Sequence, residues 1–160
     1  FCTIVGFRIC LTAVVAIGGV SAPASAKSKG YVFKYKGVSV TMNGAAKKLI
    51  KKAGKPSKKT VKKSCAYKGK DRTYTYKDFQ LKTYSKTNNG AEYVSEIRFR
   101  SNKAVTKEGI RIGSSLKDVT KKYGKAKARF GVYTFKKGSS KLQIMLNGNK
   151  VSAIRYFASK

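Results

Sequence analysis

The chain of 160 residues contains no histidine, no tryptophan and only 6 acidic residues against 37 basic ones. Without histidine, the protein lacks the side chain that most often serves general acid–base catalysis and activates nucleophiles. The few carboxylates are scattered, and the sequence has no CxxC, P-loop, GxGxxG or HExxH pattern. We therefore predict a non-enzymatic protein that uses no cofactor and binds no metal.

Cysteine is also scarce, and two of the three residues, Cys2 and Cys10, fall in the N-terminal segment 1–26. That segment combines a basic start, an apolar run and the small residues Ala24-Ser25-Ala26, which is the pattern of a secretory signal peptide. The apolar run is shorter than the roughly 20 residues that a membrane-spanning helix needs. We expect a secreted, extracellular protein with no stable membrane span once the signal is removed. Retention at the cell wall is an open alternative.

Removal of the signal would leave Cys65 as the one remaining thiol, so no internal disulfide could form. A lone thiol in a secreted protein is either buried or available for an intermolecular link. Because its neighbours Ser64, Ala66 and Tyr67 are small or apolar, we favour burial of Cys65.

Two stretches of the chain match at four landmarks that occur in the same order, which indicates a tandem repeat. The first copy is longer, chiefly between Gly54 and Tyr74. The matching segments are Gly37–Val40 with Gly109–Ile112, Tyr74–Tyr76 with Tyr133–Phe135, Phe79–Leu81 with Leu142–Ile144, and Val94–Phe99 with Val151–Tyr156.

Each copy contains one predicted helix. In the second copy Ser115 can cap the helix with Asp118 in the capping-box position, and Gly124 provides the stop. In the first copy Asn43 is the candidate cap and Gly54 the stop. The apolar positions share one helix face in both copies, and they are Ala46, Leu49, Ile50 and Ala53, then Leu116, Val119 and Tyr123.

After each helix the apolar pattern changes to a period of two, and turn residues separate three predicted strands. We therefore predict an α+β fold of two tandem modules, each a short leading strand and a helix packed on a three-stranded antiparallel sheet. The predicted boundaries are 1–26 for the signal peptide, 27–36 for an N-terminal linker, 37–100 for the first module, 101–108 for a connector and 109–160 for the second module.

The run from Gly109 to Gly124 resembles the helix segment of the β-lactamase-inhibitor-protein-like and BamE/SmpA-like modules. In this run, as in those modules, an apolar pair is followed by Gly, a Ser/Thr cap, a Val and a closing Gly. The resemblance extends over residues 37–157 and is looser in the first copy, where Thr41-Met42-Asn43 replaces Gly-Ser-Ser. It implies paired modules whose sheets form a concave surface that grips a protein. The inhibitor branch carries disulfides and an acidic plug on a hairpin, and Glu92 is not assigned that role here.

The chain also resembles secreted proteins of Gram-positive gut bacteria. The shared segments are Ser64-Cys65-Ala66, Gly69-Lys70-Asp71, Tyr74-Thr75-Tyr76 and the run Gly109–Ser114.

Aromatic residues alternate with basic ones along the predicted strands. One row should pack beneath the helices as core, and the rest should face the open side of the sheets, where the family resemblance places partners. We predict four partner-binding residues on that side: Tyr76, Tyr84, Tyr93 and Arg98.

A lysine tract follows the first predicted cap, and its density would concentrate polyanions near the surface. The alternative is a solvated face that reflects composition alone. The candidate polyanion-binding residues are Lys47, Lys48, Lys51, Lys52, Lys55, Lys58, Lys59, Lys62 and Lys63.

The leading functional hypothesis is a secreted, non-enzymatic binding module that engages an extracellular protein partner through the open sheet face. The alternative hypothesis is a polyanion binder, held by a teichoic-acid-like wall polymer or by extracellular nucleic acid. The sequence leaves the oligomeric state open.

Overall fold

The structure, a computed structural model, describes residues 30–159, so the predicted signal segment 1–26 lies outside the described residues. Neither of the two helices in the described range is long and apolar enough to cross a membrane. The elements in chain order are β1 (Val32–Tyr35), β2 (Val38–Thr41), α1 (Lys47–Ala53), β3 (Lys58–Lys63), β4 (Lys70–Thr75), β5 (Phe79–Ser85), β6 (Glu92–Phe99), α2 (Leu116–Tyr123), β7 (Val132–Lys137), β8 (Ser140–Asn147) and β9 (Lys150–Ala158).

The prediction of two separate modules is wrong, because the strands of both halves form one antiparallel sheet of seven strands in the order β3-β4-β5-β6-β9-β8-β7. A separate two-stranded sheet joins β1 to β2. The halves meet where the end of β6 pairs with the end of β9, at Glu96↔Phe157, Ile97↔Tyr156 and Arg98↔Arg155. Each of these strands would otherwise expose an edge of unpaired N–H and C=O groups, and their pairing joins the two halves into one sheet. With nine strands and two short helices in residues 30–159, the fold is predominantly β.

Three details of the predicted secondary structure also change. The segment 27–36, predicted as a linker, contains β1, which turns into β2 through Lys36 (φ 46°) and Gly37 (φ 81°). Two positive φ angles in a two-residue loop match the twist of a tight hairpin. The predicted leading strand at 109–112 is not a strand, whereas the lysine tract supplies the unpredicted strand β3.

The second helix is confirmed in detail and the first only in part. In α2 the Ser115 side chain accepts from the N–H of Asp118, the Asp118 carboxylate accepts from the N–H of Ser115, and the helix ends at Gly124. The N-cap of α1 is Ala46, so the prediction that Asn43 caps this helix is wrong. Asn43 instead has φ 61° and donates its N–H to the carbonyl of Val94 at 2.7 Å, which ties it to β6.

Residues that match in the repeat comparison occupy equivalent places in the sheet. The segment before each helix pairs with the start of the last strand of its half, with Val94 N–H donating to Gly44 O at 2.9 Å and Val151 N–H donating to Ser114 O at 2.8 Å. Both last strands also skip one residue in their pairing with the preceding strand. The bulged residues are Ser95 and Ser152.

The core lies on one face of the sheet, beneath the β1–β2 hairpin and the two helices. Its centre is the fully buried ring of Phe33, whose centroid is 5.3 Å from that of Phe79, 5.6 Å from that of Phe99 and 6.4 Å from that of Tyr156. These three rings belong to β5, β6 and β9, so Phe33 covers the line where the two halves meet. Leu49 of α1 and Val119 of α2, both fully buried, extend the core.

We expect Phe33→Ala to lower the free energy of unfolding by about 3–5 kcal/mol, since it leaves a cavity among packed rings. Urea denaturation followed by tyrosine fluorescence measures this change. Phe130→Ala is the matched control because that ring is 99% exposed, and it should leave the midpoint unchanged. Equal midpoints for the two variants would contradict the central position of Phe33.

Candidate functional site

Side chains alternate between the two faces of each strand, so the face opposite the core carries its own set of residues. We call this second side of the seven-stranded sheet the open face. Neither the hairpin nor the helices pack on it, and its residues in the central strands are half-buried or exposed. The side chains that β5, β6 and β9 place on it include Tyr84, Tyr93, Glu96, Arg98, Arg155 and Phe157.

A tyrosine cluster occupies one end of the open face. Tyr84 and Tyr93 are opposite each other on β5 and β6, with ring centroids 5.5 Å apart. The ring of Tyr67, from the β3–β4 loop, stacks on Tyr84 at 5.1 Å with an interplanar angle of 16°. Burial raises the pKa of Tyr84, and the neighbouring phenols Tyr67 and Tyr93 raise it further. The Tyr84 hydroxyl is therefore a neutral donor at neutral pH.

A hollow of about 510 Å³ lies beside this cluster. Its wall includes the stacked rings of Tyr67 and Tyr84, the polar side chains of Asn43 and Lys82, and the end of β9 at Ala158. The Tyr84 hydroxyl donates to Asn43 Oδ1 at 3.4 Å. This combination of aromatic surface and polar rim is typical of a pocket that accepts a side chain from a partner.

Positive charge dominates the middle of the open face. Lys82 Nζ lies 3.1 Å from Glu96 Oε2, and Arg155 Nε lies 4.0 Å from Glu96 Oε1. The Phe157 ring has the Arg155 guanidinium 4.8 Å and the Lys141 ammonium 5.8 Å from its centroid. Glu96 thus serves two cations in the middle of the face, and the exposed Asp71, opposite Tyr84 on β4, is a second carboxylate at the tyrosine end.

Three of the four predicted partner-binding residues, Tyr84, Tyr93 and Arg98, lie on the open face. Tyr76 does not, because it is 5% exposed and packs in the core with its ring 4.9 Å from that of Phe79. It shares the side of Tyr74, two residues earlier, which is also buried. Tyr76 and Tyr74 therefore both belong to the core.

All nine lysines of the tract are exposed, but they do not form one surface. Four lie on α1, Lys55 lies in the following loop, and four lie on β3, where successive side chains point to opposite faces. Lys59 lies over the covered ring of Tyr74, with its Nζ 5.3 Å from the centroid. Since β3 is an edge strand, its lysines also block the addition of another strand.

Sequence reasoning missed three residues that shape this face: Tyr67, Arg155 and Phe157. The repeat carried a signal for one of them, since Arg155 matches Arg98 in the aligned segments. Tyr67 lies in a loop, where no periodic pattern predicts the direction of a side chain. Phe157 follows the matched segment, and only the pairing of β9 with β6 brings it to the centre.

Glu92, which the sequence left without a role, lies on the covered face in a hydrogen-bonded cluster. The Tyr74 hydroxyl donates to both carboxylate oxygens, at 2.9 and 3.0 Å, and Thr83 Oγ1 donates to Oε2 at 2.7 Å. Arg72 Nε is 3.6 Å from Oε1. Burial raises the pKa of Tyr74, and the hydrogen bond to Glu92 raises it further. The cluster stabilises the sheet rather than presenting an acidic plug.

Cys65 is exposed, so the expectation of a buried thiol is wrong. The loop after β3 is closed by the Ser64 N–H, which donates to the carbonyl of Gly69 at 3.0 Å. Ser64 is buried at this closure, whereas Cys65 and Ala66 lie outside it in solvent. A Cβ at Gly69 would collide with the backbone of Ser85, which shows how tightly the loop packs.

Within residues 30–159, no three carboxylate or thiol side chains are close enough to hold a metal ion. No protein-family model, curated protein or solved structure matches the chain. The resemblance to β-lactamase-inhibitor-protein-like and BamE/SmpA-like modules therefore stays a prediction from the sequence, without the two-module architecture that it implied.

Two glutamates of β6 on opposite faces provide a matched test of this description. We expect Glu92→Ala to lower the free energy of unfolding by about 1–3 kcal/mol. Tyr74 and Thr83 are only 4% and 1% exposed, so their hydroxyls would lose their acceptor without gaining water in its place. Glu96→Ala should lower it by less than about 1 kcal/mol, because Lys82 and Arg155 are 45% and 43% exposed and can turn to water. Urea denaturation at pH 7 measures both, and the reverse order would refute the assignment.

Proposed function

We propose that this chain is a secreted, non-enzymatic binding protein that engages an acidic protein partner through the open face of its seven-stranded sheet. One observation carries the proposal: Tyr67, Tyr84 and Tyr93 form a stacked cluster at one end of the open face, where cations outnumber carboxylates among the described residues. Tyrosine and arginine are the side chains that contribute most often to protein–protein affinity.

The sheet holds these side chains in place before any partner arrives. Tyr84 and Tyr93 are fixed by the ladder between β5 and β6, and each tyrosine has only two side-chain torsions to lose on binding. Packing of Tyr67 on Tyr84 orders the loop residue as well. A preformed aromatic surface of this kind binds with a small loss of conformational entropy.

The charge of the face specifies the chemistry of the partner. Glu96 is shared between Lys82 and Arg155, while Arg98 is exposed and makes no ion pair within the described residues. An acidic protein surface would complement this pattern and would be steered to it during encounter. Basic partners would be repelled, which gives the face a means of selection.

The second candidate function is attraction of a wall polymer or nucleic acid by the lysines. It is favoured by one observation, the exposure of all nine tract residues on α1, the following loop and β3. Such binding would depend steeply on salt and little on the tyrosines. The division of the tract among separate surfaces supports the protein partner as the leading proposal.

We expect Tyr84→Ala and Tyr93→Ala each to weaken partner binding about tenfold or more, as loss of an aromatic anchor does. The chain, immobilised as bait for secreted and wall extracts, should retain one protein at fixed stoichiometry in high salt, and surface plasmon resonance with that purified protein measures the affinities. Phe130→Ala is the matched control, since it removes a 99% exposed ring far along the chain from the cluster.

The opposite result is equally clear. If every retained component elutes together as salt rises, and Lys51→Gln with Lys52→Gln weakens retention while the tyrosine variants do not, the lysine-based function replaces the protein-partner proposal.

A further inference from the structure

A row of polar side chains crosses the open face, and its two halves are equivalent in sequence. Each residue is the direct cross-strand partner of the next, through β4, β5, β6, β9, β8 and β7. In order the row is Thr75, Gln80, Arg98, Arg155, Gln143 and Thr134. The first three residues match the last three, in reverse order, in the repeat of the sequence.

The hydrogen bonds of the row repeat as well. Gln80 Nε2 donates to Thr75 Oγ1 at 3.3 Å, and Gln143 Nε2 donates to Thr134 Oγ1 at 3.4 Å. Because β6 and β9 are antiparallel and the equivalent residues Arg98 and Arg155 pair directly, an approximate two-fold axis passes through the sheet between the two arginines. The row therefore places a symmetric pair of guanidinium groups at the middle of the open face.

This arrangement is electrostatically unfavourable unless an anion is bound between the arginines, because like charges directly opposite each other destabilise an antiparallel pair of strands. Arg98 has no carboxylate partner within the described residues. The Nε of Arg155 is buried without a hydrogen-bond acceptor, since the nearest carboxylate oxygen, on Glu96, is 4.0 Å away and Glu96 already pairs with Lys82 at 3.1 Å.

The two arginines also line a small hollow of about 90 Å³, together with Gln143 and the apolar side chains of Met145 and Ala153. The guanidinium of Arg155 is positioned by the ring of Phe157, 4.8 Å away. Donors on one side and methyl or thioether groups on the other suit a ligand that has an anionic head on an aliphatic stem.

We infer that Arg98 and Arg155 together bind one carboxylate, supplied by an acidic side chain of the partner protein. A carboxylate has two oxygens that accept from guanidinium N–H groups in parallel pairs. Seated between the arginines, it would replace their repulsion with charge-assisted hydrogen bonds. The source of the carboxylate rests on the proposed function, whereas the site itself depends only on the arginine pair.

The test uses the full chain labelled with ¹⁵N and follows the Nε–Hε signals of its arginines by NMR. At constant ionic strength, butyrate should shift the signals of Arg98 and Arg155 along one saturable curve while chloride does not. Arg98→Lys and Arg155→Lys should each weaken butyrate binding about tenfold, because lysine keeps the charge and loses the planar fork. Arg111→Lys, at an exposed arginine outside the row, is the matched control and should bind as the parent does.

Three outcomes would overturn the inference. Linear shifts of all arginine signals without saturation would mean diffuse charge attraction, and unchanged affinity in either arginine variant would remove that residue from the site. Tighter binding of inorganic phosphate than of butyrate would overturn the carboxylate assignment.

A separate binding measurement with peptides tests the source of the carboxylate. A capped peptide Gly-Leu-Glu-Phe should bind more tightly than butyrate, and its Gln counterpart should not bind. Equal affinity of the peptide and butyrate would overturn the assignment to a protein partner. Because these probes need no partner, a saturable butyrate site can stand even if Tyr84→Ala and Tyr93→Ala leave partner binding intact and the proposed function fails.

A stability measurement provides an independent check, because an arginine with only a structural role would give the opposite result. Arg98→Gln should raise the urea midpoint in chloride, since it removes the repulsion from Arg155, and butyrate should stabilise the parent chain more than this variant. A lower midpoint for Arg98→Gln in chloride would contradict the repulsion on which the inference depends.

Discussion

The contact between Phe33 and the rings of Phe79, Phe99 and Tyr156 is the interaction on which the rest of the structure depends. The two halves of the sheet share only three cross-strand residue pairs, at the ends of β6 and β9. So short a ladder gives little stability by itself. The buried aromatic side chains on the covered face supply the apolar burial that keeps the halves together.

The same joint links the core to the candidate site, because consecutive residues of a strand point to opposite faces. The register that pairs Ile97 with Tyr156 in the core pairs Arg98 with Arg155 on the open face. A shift by one residue would move the arginines into the core and the aromatic ring into water. Burial on one side therefore holds two like charges together on the other, where they are available to an anion.

The excess of positive charge has more than one physical consequence in this fold. On β3 the lysines lie along an unpaired edge and oppose strand addition. On the open face, the cations around Glu96 accompany half-buried aromatic rings and acquire directional contacts. The net charge of +31 is only a total. Lys59 lies on an edge strand, whereas Arg155 contacts the ring of Phe157 on the open face, so the two cations have different roles.

Local signals in the sequence determined the features whose causes are local. The Ser115–Asp118 capping box, the helix stop at Gly124 and the outward position of Tyr84 follow from neighbouring residues and from the period of β5. Tyr93 faces outward only because the bulge at Ser95 shifts the alternation of β6, which would otherwise place it with Ile97 and Phe99. Tertiary structure alone decided that β6 joins β9, that Tyr76 and Glu92 face the core, that Cys65 is exposed, and that Arg98 meets Arg155. The physical reason is that backbone hydrogen bonds make strand edges chemically alike, so the sequence pattern specifies strands, whereas long-range packing beneath Phe33 selects which edges pair.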